Sequence, residues 1–461
     1  MKYERVRGHL PLPELPQTVA LRRACQRGRT RYDLASALRI VRAVETTPGR
    51  LAVFAEIKRK NAIYRMVDAI YAKVGERFFQ PFALWLYMLK CVLSVGPFAK
   101  RGTVVALSNF PNEKKTIERV AALAGDTEIL RLSIRRRHIV GLGQLRAAAR
   151  MIGAVVHLWP FLCLLARKLG FMPAARVAST LAFYIRFKQF FASRDDLVSA
   201  ILASNYSPEA VALAAAAHEA GRNVIYANHA PVPLNGEIVP PVLSDFALLY
   251  GEQTAETYRR RSVCTAEIAV IGQPSTSREM NWSHRLETVG IFLTSGTRIT
   301  VLSGLIADIR KSHPNVRIIV RDHPVSLLRN NLSDIVSDDS LTQLTFGNPL
   351  DEEIASCDLI MCGNSGVALN ALCAGRPVGC LTRLDGVLDD YNGFVESGLV
   401  CEIEGWTADL YSHLRDFYER PHWRSIMKSF DASYGVDESE LSVVAARQLA
   451  PYLLPSEKRR R

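Results

Sequence analysis

A chain of 461 residues is too long for one ordinary hydrophobic core, so two domains are expected. Hydrophobic residues make up 48% of it and charged residues 22%, which excludes a disordered chain. The net charge of +13 implies an anionic partner: nucleic acid, an acidic membrane surface or a phosphorylated substrate.

The first hundred residues read as a basic helical region, with Arg22, Arg23, Arg27, Arg29 and Arg31 crowded together. The opening MKYERVRGHLPLPELP lacks the apolar core of a signal peptide, so a cytoplasmic location is expected. Residues 78–98 and 151–191 are apolar, but Pro81, Lys90, Pro97 and Pro160 interrupt them before they reach the length of a spanning helix. Trp85, Trp159 and interleaved Lys and Arg suit helices lying in a membrane interface, and buried core helices satisfy the pattern too.

Between and beyond these stretches, strands and helices alternate. Residues 102–109 read as a strand, followed by a helix to Gly125 and a second strand over 127–132. Further strands are expected over 199–204, 223–227, 246–250 and 268–271, with a helix over 208–220. A second series starts near Thr288: strands over 289–294, 316–320, 343–346, 358–362 and 377–381, with helices over 299–312, 351–356 and 367–374. The pattern is α/β, with doubly wound parallel sheets. The expected domains are 1–100, basic and helical; 101–275, Rossmann-like with an apolar helical insertion near 151–191; 286–405, Rossmann-like; and 406–461, helices and a basic tail.

Ligands of such sheets bind beyond the carboxyl ends of the strands. Three motifs fall there. Ser295-Gly296-Thr297 offers hydroxyls and N–H groups before a helix. Arg321-Asp322-His323-Pro324 ends a strand, and Pro324 keeps His323 extended so that its imidazole can donate to a phosphate oxygen. Gly363-Asn364-Ser365-Gly366 is a second turn of this kind, with Ser365 at the start of a helix. Two anion-holding turns on one domain fit a nucleoside mono- or diphosphate. The dinucleotide fingerprint GxGxxG and the phosphate loop GxxxxGK[ST] are missing, against dehydrogenases and NTPases. The nine cysteines form no CxxC pair and read as small buried hydrophobes rather than zinc ligands.

Strand–HisPro followed by strand–Ser–helix–Ala-Gly-x-Pro resembles the C-terminal domain of GT-B-fold glycosyltransferases. The nearest resemblance is to bacterial envelope enzymes with CMP- or CDP-activated donors: sialyl-, polysialyl- and Kdo transferases and teichoic-acid glycerophosphotransferases. Asn228-His229-Ala230 resembles the Gln-His-Gly turn of capsule-type transferases, with Asn228 and Ala230 as departures. Ser244-Asp245 and Tyr250-Gly251-Glu252 match the segment after that turn, and Ile271-Gly272-Gln273-Pro274 is similar to the hinge before the second domain. The resemblance implies a cleft between two Rossmann-like domains, donor-phosphate contacts from His323 and Ser365, and no essential metal or cofactor. No Asp/Glu-Asp/Glu-Gly motif is present to supply a base. A base is needed to deprotonate the acceptor hydroxyl. His229, Glu113 and Glu237 are the candidates from the first domain, and Asp385 and Glu396 occupy a loop where ribose or sugar hydroxyls would bind.

The expected activity is transfer of a sugar, sialic acid or Kdo from a CMP donor, onto a cell-envelope polysaccharide or lipid-linked glycan. The expected setting is the inner face of the cell membrane, with an anionic membrane surface as partner and no nucleic acid. A CDP-glycerol-type glycerophosphotransferase, a nucleotide-sugar epimerase of the same fold and a non-catalytic assembly protein are the alternatives.

Overall fold

The structure is a computed structural model and describes residues 31–75, 78–96, 102–134, 140–273, 278–294, 296–323, 332, 340–385 and 390–454. The arginine-rich start, Arg135 to Arg137, Pro274, Ser295, Pro324 and the basic tail lie outside these residues.

Among the described residues four helices come first: α1 (Leu34–Glu45), α2 (Pro48–Lys60), α3 (Ala62–Lys73) and α4 (Phe79–Ser94). Asp33 caps α1 by accepting the Ser36 N–H at 2.6 Å. Next come β1 (Val104–Leu107), α5 (Pro111–Leu123), β2 (Ile129–Leu132), α6 (Leu142–Gly153), α7 (Val155–Lys168), α8 (Phe171–Ala192), β3 (Ser199–Leu202), α9 (Pro208–Glu219), β4 (Asn223–Ala227), β5 (Phe246–Leu249), α10 (Glu252–Arg261) and β6 (Glu267–Val270). The six strands form one parallel sheet in the order β2-β1-β3-β4-β5-β6.

β1, β3, β4 and β5 are buried along their whole length, as strands covered on both faces must be. One core runs from Tyr32, just before α1, through α4, α8 and α9 to Leu243. The helices before β1 therefore cover the first sheet and share its core. α8 is a core helix, with Phe183, Phe187, Phe190 and Phe191 all buried. α4 buries Leu84, Met88 and Val92 but exposes Phe79, Phe82 and Leu86. No single helix among the described residues is long and apolar enough to cross a membrane.

The second sheet is built by β7 (Thr288–Phe292), α11 (Ile299–Ser312), β8 (Arg317–Arg321), β9 (Thr342–Thr345), α12 (Leu350–Ala355), β10 (Leu359–Cys362), α13 (Val367–Cys373), β11 (Val378–Cys380) and β12 (Cys401–Glu402). Its strands are parallel, in the order β12-β11-β10-β7-β8-β9. β12, two residues long, is an addition to the expected strands.

The chain closes with α14 (Leu410–Tyr418), α15 (Trp423–Phe430) and α16 (Glu438–Leu449). The last of these returns to the first domain. Asn223 Nδ2 donates to the Tyr452 carbonyl at 3.0 Å, and the Tyr452 ring stacks on Phe246 at 4.7 Å. At the joint, buried Asp431 accepts the Gln273 N–H at 3.0 Å, and the Arg119 guanidinium donates to the carbonyls of Ile271, Gly272 and Gln273. Two Rossmann-like sheets joined in this way, with the C-terminal segment crossing back, constitute a GT-B-type α/β architecture.

Candidate functional site

Each sheet has one point where the winding reverses, and a crevice opens there between neighbouring strand ends. In the second sheet that point lies between β7 and β10; in the first it lies between β1 and β3. The residues at these two points define the site.

Between β7 and β10 sits Asp385, buried, in the segment after β11. Its Oδ1 accepts the Thr294 hydroxyl at 2.5 Å and the Thr297 hydroxyl at 3.4 Å. Its Oδ2 accepts the Asn364 backbone N–H at 2.6 Å. Three loops, after β7, β10 and β11, are thus tied to one carboxylate. Burial pushes the Asp385 carboxyl above the usual range, and the hydrogen bonds from Thr294, Asn364 and Thr297 oppose this. A side chain on Gly363 would sit well inside van der Waals contact of Asp385 Oδ2, so the turn needs glycine for this approach. Expected as a contact to ligand hydroxyls, Asp385 has both oxygens occupied inside the protein.

The neighbouring residues divide in the same way. Gly296 N–H donates to the Thr294 hydroxyl at 3.1 Å, and the Thr297 hydroxyl also donates to the Thr294 carbonyl at 3.1 Å, forming a compact turn before α11. Ser365 Oγ accepts the Val367 N–H at 3.3 Å, just before the seven-residue α13, whose N-cap is Gly366. Asn364 Oδ1 accepts the Tyr391 N–H at 2.7 Å. Gly366 faces Pro231 of the first domain.

His323 follows β8, half-buried. Its backbone N–H donates to Asp322 Oδ1 at 2.8 Å. Burial holds the imidazole pKa below its ordinary value of 6.5, opposed by the negative charges of Asp322 and Asp385. The lowered pKa favours the neutral ring, which carries one N–H. Arg321, from the same motif, points into the domain: its guanidinium pairs with buried Glu353 and donates to the Asn348 carbonyl at 2.9 Å. It is a structural cation.

Of the three bases expected from the first domain, His229 is the one that does not close a helix start. Its Nδ1 hydrogen-bonds the Ala203 carbonyl, after β3. A carbonyl can only accept, so Nδ1 carries the proton and Nε2 is left as an acceptor. Burial lowers the His229 pKa, which favours this neutral form. Glu113 Oε2 accepts the N–H groups of Asn109 at 2.6 Å and Phe110 at 3.2 Å, closing the N-terminus of α5. Glu237 accepts the Gly49 N–H at 2.8 and 3.0 Å, closing the start of α2. Both carboxylates hold helix ends, as their position beside free N–H groups dictates.

The residue that sequence reasoning missed is Glu209. It lies in the first turn of α9, and Asn109 Nδ2 donates to its Oε1 at 3.0 Å across the β1–β3 switch point. Burial raises its pKa, with Arg176 opposing. The available signal was positional: Ser207-Pro208-Glu209 is a strand-to-helix junction like the three that were singled out.

The two edges are hydrogen-bonded to each other. Asn235 N–H donates to the Tyr391 carbonyl at 3.2 Å, and Asn235 Nδ2 donates to Glu396 Oε2 at 2.9 Å. Asn370 Nδ2 donates to Gln273 Oε1 at 3.0 Å, and Lys115 pairs with Asp351 at 2.5 Å. A continuous path runs from Asp385 through Asn364 and Tyr391 to Asn235, six residues beyond His229.

No protein-family model matches the chain, and no curated protein matches it in sequence. Solved structures of similar outline include a UDP-N-acetylglucosamine 2-epimerase described as putative, from Listeria monocytogenes. It is 12% identical, with a TM-score of 0.46, over 76% of this chain and 95% of that one. The S. aureus MnaA structure with UDP is 10% identical, with a TM-score of 0.48, over 77% and 98%. The glycotransferase of kitacinnamycin is 12% identical, with a TM-score of 0.45, over 77% and 100%.

Proposed function

We propose that this chain is a GT-B glycosyltransferase that moves a sugar from a nucleotide-sugar, a CMP-linked one first, onto a cell-envelope or lipid-linked glycan. The observation that carries the reading is the path Asp385–Asn364–Tyr391–Asn235, which fixes the phosphate-type turns of one domain against the His229 loop of the other. A transferase needs that juxtaposition, because leaving group and acceptor must be handled on opposite sides of one cleft.

In this reading the donor phosphate lies against the turns at Gly296 and Asn364–Gly366, and His323 donates its N–H to a phosphate oxygen as negative charge develops there. His229 Nε2 accepts the proton of the attacking hydroxyl, and the new glycosidic bond forms as the bond to the phosphate breaks. The nucleotide leaves with the negative charge. Glu209, with Asn109, shapes the acceptor side.

The test is a panel of CMP-, CDP-, UDP- and GDP-activated donors, with nucleotide release and the sugar product both measured. Release of CMP from CMP-sugars that rises when glycan acceptor is added supports the reading. CMP release from CDP-glycerol would mark a glycerophosphotransferase instead. Interconversion of a UDP-sugar without net transfer would mark an epimerase.

A further inference from the structure

The charge of this chain is not spread over it. From Ile129 to Arg194 there are 12 Lys and Arg and no Asp or Glu, so this span alone accounts for 12 of the net 13 positive charges. The span contains α6, α7 and α8.

The same layer of helices has an outward apolar surface. On α4, Phe79, Phe82, Leu86 and Lys90 lie on one exposed face, opposite the buried Leu84 and Met88. On α3, Ile63, Met66 and Ile70 form an exposed stripe at helical spacing. Leu142 and Leu145 on α6 are exposed, flanked one turn on by Arg146 and Arg150. Val156 on α7 is 75% exposed and Leu142 is 73% exposed, values that a core-facing side chain never reaches. Aromatic rings join the helices: Phe78 stacks on Phe82 at 6.1 Å and reaches Trp159 of α7 at 5.5 Å. A patch of this breadth on a protein surface marks an interaction site.

We propose that this face, formed by α3, α4, α6 and α7, seats in the interface of an anionic lipid bilayer, parallel to its plane. Charge complementarity selects this occupant: Arg146, Arg150, Arg167 and Lys168 stand exposed on α6 and α7, the helices that carry Leu142, Leu145 and Val156, and acidic headgroups attract such a border. Long Lys and Arg side chains on these helices can keep their charge among headgroups while their stems cover apolar surface. The α6–α7 pair is apolar and bent by 76° at its break, so it does not form one straight spanning helix. The inference rests on the glycosyltransferase reading only in placing a lipid-linked acceptor beside the cleft.

Flotation of the full chain with vesicles tests it. Wild-type protein is expected to float with vesicles containing phosphatidylglycerol, to float poorly with phosphatidylcholine alone, and to be released by high salt or alkaline carbonate. Phe82→Glu and Leu145→Glu are each expected to weaken binding at least about tenfold. Val443→Glu, at an equally exposed apolar position on α16, is expected to bind as wild type does. Melting temperatures check that each variant is folded. Flotation unaffected by Phe82→Glu and Leu145→Glu overturns the proposal, as does carbonate-resistant insertion. A vesicle-free dimer of wild type that Phe82→Glu disperses also overturns it, because the face would then belong to a second copy. Donor cleavage in vesicle-free buffer separates the two readings. Lost flotation with intact cleavage removes the membrane face alone, and intact flotation without cleavage removes the enzyme reading alone.

Discussion

The Asn364 backbone N–H donates to Asp385 Oδ2 at 2.6 Å, and this bond closes the switch point of the second sheet. The two residues are 21 positions apart, on loops that follow adjacent strands. The carboxylate also gathers Thr294 and Thr297, so the shape of the whole strand-end edge depends on one side chain.

Asp385→Ala is therefore expected to destabilise the second domain by about 1–3 kcal/mol for each buried donor it leaves unpaired. Donor binding should fall further than stability does, because the three turns lose their common anchor. Denaturant titration and donor affinity, measured on the same preparation, check both. Asp385 also carries a signature in pH. Its pKa is raised by burial, so its contribution to stability is complete below its ordinary value of 3.8 and is lost as pH rises through the raised value. Asp385→Asn should remove that component.

His229 and His323 act in the opposite direction. Burial depresses both pKa values, so both favour the folded state when neutral. Their contribution is complete above the unfolded value of 6.5 and is lost as pH falls through the folded values. Melting temperature followed from pH 8 downwards is expected to fall below about 6.5, and the double variant His229→Gln/His323→Gln should show a flatter slope.

The joint between the domains offers a third test. Gly272 has φ of 71°, and a side chain there would collide with Asp431 and Ser433. Gly272→Ala is expected to cost about 1–3 kcal/mol from the left-handed backbone and the overpacking together. It should also loosen the register of the two domains, raising KM for the donor without removing His323 or His229. Calorimetry and steady-state kinetics would show both effects.

Most strands and helices of both sheets are legible in the sequence because most strands are short apolar runs, and helices such as α5, α9 and α13 are followed closely by Gly125, Gly221 and Gly375. β3 to β5 and β7 to β11 fall within one or two residues of where the pattern puts them. The strand-end turns are legible for the same reason. What the turns contain is not, because it is decided by long-range partners. Glu237 meets Gly49 across 188 residues, and Glu113 looks like any first-turn acid until its cap bonds are seen. Asp385 reads as an acid for ligand hydroxyls and is a buried anchor. Glu209 was hidden by its ordinariness at the start of a helix. The two-sided nature of α4 is written in its period, but its exposed aromatics can be told from core ones only when the neighbouring α7 and α8 are in place.

The most direct test of the account is the rate of nucleotide release from a CMP-sugar by wild type and by His323→Ala. The account predicts acceptor-stimulated CMP release by wild type and a loss of about a hundredfold or more in kcat when the imidazole donor is removed, with the fold intact by melting temperature. No release from any activated donor, or a wild-type rate in His323→Ala, would contradict it.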